Sequence, residues 1–95
     1  MLDIFVTDTA EKDMREIFDY IAKDNINKAI EMIDKFEDKF NTIALFPNSG
    51  FRKSYFIKRD VREIVVAKHY QIIYHVKNDT VYIQRVLTGY QNVFQ

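Results

Sequence analysis

Apolar positions in this chain recur at two different spacings, and the switch between them predicts its elements. Leu2, Ile4 and Val6 alternate with Asp3, Phe5 and Thr7, the period of a strand with one buried face. From Asp8 the spacing lengthens. Ala10, Met14, Ile17, Phe18 and Ile21 form one helical stripe, opened by Asp8 and Glu11 as a capping pair and closed at Lys23-Asp24-Asn25. Asn25 caps a second helix whose apolar set, Ile26, Ala29, Ile30, Ile33, Phe36, Phe40, Ile43 and Ala44, runs to a stop at Phe46-Pro47-Asn48-Ser49-Gly50. Helices joined by so short a link pack antiparallel.

A loop of about ten residues follows Gly50, and then the period returns to two, with strands expected at 61–67, 69–77 and 80–88. Only Ala67-Lys68 separates the first two, and Asn78-Asp79 supplies tight-turn chemistry before the third, so the three form an antiparallel meander. On the middle strand Tyr70, Ile72, Tyr74 and Val76 point one way and Gln71, Ile73, His75 and Lys77 the other. On the last, Val81, Ile83, Arg85 and Leu87 oppose Tyr82, Gln84 and Val86. The expectation is one α+β domain over residues 1–95, ordered β-α-α-β-β-β, with a helical hairpin on one face of a small, mainly antiparallel sheet. The place of the first strand in that sheet is left open. The helices must cover the more apolar face, which puts function on the more polar one. The aromatic series Phe36, Phe40 and Phe46 has the spacing of core packing, not of a ligand box. Glu16, Asp19, Glu31, Asp34, Glu37 and Asp38 read as a solvated helix face.

Composition removes several classes of chemistry. There is no cysteine, so disulfides, thiolate metal sites and thiol nucleophiles are excluded. No His/Asp/Glu group has metal-ligand spacing, and neither a metal nor another cofactor is expected. Asp3 interrupts the first apolar stretch, and no apolar run approaches the ~20 residues of a membrane span. A cytoplasmic chain without a membrane partner is expected. Net charge is zero, but residues 1–50 carry −5 and residues 51–95 carry +5. Within Phe51–Arg62, five basic residues and one acid interleave with three aromatics, a composition suited to phosphate or to an acidic protein.

The two histidines are the available acid–base groups. His69 and His75 fall on the predicted middle strand, about 20 Å apart along an extended chain, too far for one site to use both. Either could join Tyr70, Tyr82 or Tyr90 in metal-free RNA cleavage. Ordinary surface or turn roles are the simpler reading.

The order of elements, the helix phrase Asp13-Met-Arg-Glu-Ile-Phe-Asp-Tyr-Ile-Ala22 and the Phe46-Pro47 stop together resemble the RelE/ParE superfamily of type II toxin–antitoxin toxins. So do Arg62-Glu-Ile-Val-Val66, Tyr70-Gln-Ile-Ile-Tyr74 and Val81-Tyr-Ile-Gln-Arg-Val-Leu87. The resemblance implies one of two activities. RelE-branch members are ribosome-dependent messenger-RNA endonucleases; ParE-branch members bind DNA gyrase and cut no RNA. Cleavage needs an activator for the 2′-hydroxyl, a cation for the phosphate and an acid for the leaving oxygen. Of the charged positions the nuclease branch uses, Arg62 matches one. Ile64, Gln71 and the Tyr90-Gln91 pair after Gly89 stand at the other three, and glutamine is neither acid nor base.

The resemblance therefore implies a ParE-like toxin that binds a protein target and uses no catalytic residue. Arg59, Arg62, Arg85, Tyr90 and Gln91 are its candidate contacts, the arginines as charge-assisted donors and Tyr90 as an anchor. The alternatives are a nuclease acting on ribosome-bound mRNA through Arg62 with His69 or His75, and a degenerate member without toxicity. All three imply a cognate antitoxin partner, laid over the helical hairpin and a sheet edge.

Overall fold

The computed structural model describes residues 1–52 and 61–89, and they form two helices on a five-stranded mixed sheet. The elements are β1 (Asp3–Val6), α1 (Asp8–Ala22), α2 (Ile26–Leu45), β2 (Phe51–Arg52), β3 (Val61–Val66), β4 (Tyr70–Lys77) and β5 (Thr80–Thr88). The expected α+β architecture is present. β1 takes one edge, parallel to β5, in the order β1-β5-β4-β3-β2. The short β2 was expected to be loop; it pairs antiparallel with Glu63 and Arg62 at the opposite edge.

Local chemistry sets the boundaries. Thr7, one residue before the expected cap Asp8, opens α1: its hydroxyl accepts the Ala10 N–H at 3.2 Å and donates to the Ile83 carbonyl at 2.9 Å. A single side chain thus caps the helix and ties its start to β5. Asp8 and Glu11 lie in the first turn, where acids favour the helix dipole. Asn25 caps α2 as expected, accepting the Lys28 N–H at 3.1 Å. Both hairpin turns use paired left-handed residues, Ala67 and Lys68 (φ 50° and 67°) and Asn78 and Asp79 (φ 52° and 61°), the geometry that matches strand twist. The first turn extends through His69, whose N–H bonds the Ala67 carbonyl. His69 therefore stands in the turn, not on β4 as expected.

The main core lies between the helices and one face of the sheet. Phe36, Ile43, Ile72, Tyr74, Val81, Ile83 and Val86 are fully enclosed there, and each aliphatic or Phe side chain contributes roughly 1.5–3 kcal/mol by leaving water. Leu2, Ile4 and Val6 pack against it from β1. Phe36 and Phe40 fill their expected core role, but Phe46 is 64 % exposed; α2 ends at Leu45, so the helical period no longer carries residue 46 inward. A smaller cluster, Val61, Ile73 and Leu87, is buried separately.

Strict alternation on β5 also fails. The β4–β5 ladder slips between Ile73, opposite Arg85, and Tyr74, opposite Ile83. The extra residue inverts the phase, so Val86 joins Val81 and Ile83 in the main core while Leu87 joins the small cluster. Among the described residues no helix is long and apolar enough to cross a membrane.

Candidate partner-binding site

Four of the residues singled out from the sequence are described: Arg62, His69, His75 and Arg85. Arg59, Tyr90 and Gln91 lie outside the described residues. The four do not gather into one site. Arg62 sits opposite Tyr74 on β4, and both side chains reach the turn that ends α2. The Tyr74 hydroxyl donates to the Pro47 carbonyl at 2.8 Å and accepts the Gly50 N–H at 2.9 Å; Arg62 Nη1 donates to the carbonyls of Gly50 at 2.9 Å and Asn48 at 3.3 Å. A Cβ on Gly50 would meet the Tyr74 hydroxyl at 2.7 Å and the Glu63 carbonyl at 2.9 Å, so glycine is what permits this approach.

Arg85 faces α1. Its Nε and Nη2 donate to Asp13 Oδ2 and Oδ1 at 2.8 and 3.0 Å, a bidentate pair, and the Val86 N–H donates to Oδ2 at 3.0 Å. The third bond has a topological cause. β1 pairs with β5 only as far as Ile83 before the chain turns into α1, so among the described residues no strand flanks Val86 on that side and Asp13 accepts its amide instead. The Asp13 hydrogen bond, followed by its charge and that of Glu16, raises the Arg85 guanidinium above its ordinary value; partial desolvation works against them.

The histidines point elsewhere. His75 pairs with Val61 and Tyr82, one residue out of phase with Tyr74, and so leaves the opposite face of the sheet from Arg62. Its ring stacks on Tyr82 at 5.0 Å, Tyr82 contacts Phe5 at 5.7 Å, and Gln84 Nε2 lies 2.8 Å from His75 Nδ1. With the amide donating, that nitrogen is an acceptor. His69 is held at the far end of β4. No group of three His, Cys, Asp or Glu among the described residues could hold a metal ion.

Two grooves flank α1. One, of about 410 Å³, runs between the helices over Met14, Phe18, Ile30 and Ile33, with Glu11, Arg15 and Asp34 at its rim. The other, of about 500 Å³, lies between α1 and the sheet ends and includes Glu16, Tyr20, His69 and Tyr70. Tyr70 stands edge-on to Phe36 at 5.4 Å; burial, reinforced by Tyr20, pushes its phenol up from its ordinary value.

Sequence comparison now bears on this geometry. Residues 4–93 match the family described as the ParE toxin of the type II toxin–antitoxin system parDE. The chain belongs to the ParE toxin family. Comparison with curated protein sequences finds no match. Among solved structures, the chromosomal ParDE TA system from P. aeruginosa aligns with a TM-score of 0.75 at 19 % identity, covering 93 % of this chain and 96 % of that one. That likeness is one of fold. Within this ParE-family chain, the residue that sequence pattern overlooked is Asp13. Its signal was available: it sits three residues after Ala10 and four before Ile17, an acid on the buried stripe, where a carboxylate is kept only with partners.

Proposed function

We propose that this chain is the toxin of a type II toxin–antitoxin pair, that it acts by binding a protein target such as DNA gyrase without cleaving RNA, and that a cognate antitoxin neutralises it. Family membership supports the toxin assignment. The observation that carries the mode of action is the divergence of the acid–base and cationic groups: Arg62 reaches the α2 turn, His75 leaves the other face, and His69 stands at the far end of β4. General acid–base cleavage needs these functions within hydrogen-bond reach of one phosphate. Target contacts are assigned to Arg59, Arg62, Arg85, Tyr90 and Gln91. Arg85 suits the role because its side chain is 45 % exposed while two bonds to Asp13 fix its orientation, so little rotamer entropy is lost on contact.

The interhelical groove supports the antitoxin assignment. Its apolar floor and charged rim suit an amphipathic helix. Induced expression with two readouts tests the proposal. Blocked gyrase supercoiling with intact messenger RNA is expected. Messenger cut only in the presence of ribosomes, with normal supercoiling, would replace the proposal with nuclease action, and no change in either would mark a non-toxic member.

A further inference from the structure

The second groove has a chemistry that neither proposed role uses. α1 is the ridge between the two grooves: Met14 and Phe18 line the interhelical one, while Glu16 and Tyr20 line the one beside the sheet. Three features of the latter point to the same occupant. Tyr20 and Tyr70 supply two aromatic rings, and Tyr20 is 76 % exposed on the rim while Tyr70 is braced edge-on by Phe36. Asp13 at the base is saturated by Arg85 and the Val86 amide, so that pair is neutral. Glu16, one turn along the same helix and exposed, leaves the wall net negative.

Aromatic faces beside a carboxylate attract a cation, and the wall repels phosphate or a carboxylate. Of the remaining lining, which also includes His69, Thr88 and Gly89, Ile17 and the Tyr rings suit the aliphatic stem that precedes a lysine or arginine head group. We propose that this groove is a docking pocket for a lysine or arginine side chain of a partner polypeptide, with Glu16 opposing the charge and Tyr20 and Tyr70 flanking it. A partner chain lying across α1 reaches both grooves, apolar contacts on one side of the ridge and a cationic anchor on the other. The pocket's chemistry does not depend on whether that partner is an antitoxin.

The test is an amide-resolved NMR titration of the intact chain with N-acetyl-arginine amide, with N-acetyl-leucine amide and N-acetyl-glutamate amide alongside. Saturable shifts confined to Glu16, Tyr20, His69 and Tyr70 are expected for the arginine probe only. Glu16→Gln and Tyr20→Ala are each expected to weaken it by about threefold. Both positions are exposed, and the unchanged remainder of the spectrum certifies the fold. Equal response to the leucine or glutamate probe, shifts that do not saturate or that spread over the surface, or undiminished binding in Glu16→Gln would each overturn the proposal.

Discussion

Two arginines reach from the sheet to the helical layer, and they do so by different chemistry. Arg62 joins Tyr74 in holding the carbonyls of a turn, and these neutral acceptors belong to backbone that is itself partly exposed. Arg85 meets a carboxylate that is only 7 % exposed and that also serves a backbone amide. The first contact can be lost one bond at a time. In the second, removing the acid leaves the buried Val86 N–H without its acceptor and releases a half-exposed arginine to water, so its parts fail jointly.

Asp13→Ala should break this comparison most sharply, costing about 3 kcal/mol, chiefly through the unsatisfied Val86 N–H and the lost charged hydrogen bonds, and read as a lowered midpoint in urea denaturation. A loss no larger than that of a surface substitution would show that the three bonds to Asp13 are not coupled. Gly50→Ala comes next, at about 2 kcal/mol, because the added methyl must displace the Tyr74 ring or the β3 carbonyl; calorimetry should show the lower Tm. Tyr74→Phe removes one donor and one acceptor at the turn while keeping the ring, and about 1–2 kcal/mol is expected. In a double-mutant cycle, Arg62→Met should couple to Tyr74→Phe and remain additive with Asp13→Ala.

The smallest effect concerns pH. The folded state holds the Tyr70 phenol above its ordinary value, so the unfolded chain loses that proton first. The associated stability is complete below the ordinary tyrosine range and disappears as pH rises through the folded value. Ultraviolet titration should resolve a phenol that ionises above the ordinary tyrosine range, and Tyr70→Phe should remove that contribution.

Much of the architecture was readable because period and burial agree: Ala10, Ile17, Phe36, Phe40 and Ile43 all lie where helical spacing puts them. What escaped depended on partners distant in sequence. β2 exists only because Glu63 and Arg62 lie beside it, and two residues carry no period. The phase change on β5 comes from a slip against β4 that no alternating pattern contains. Thr7 displaced Asp8 as the cap because its hydroxyl can serve α1 and the Ile83 carbonyl at once. The arginines were legible as charges; their orientation was not, since Asp13 lies 72 positions from Arg85.

The pairing of β1 with β5 also bears on how the domain is made. Residues 3–6 find their strand partner only at 80–83, and α1 and α2 lie between them. During synthesis both helices emerge long before the sheet they must cover, and closing so long a loop is a slow, late step. The nascent chain can form helical turns, but the core that Val81, Ile83 and Val86 complete can close only once β5 has emerged.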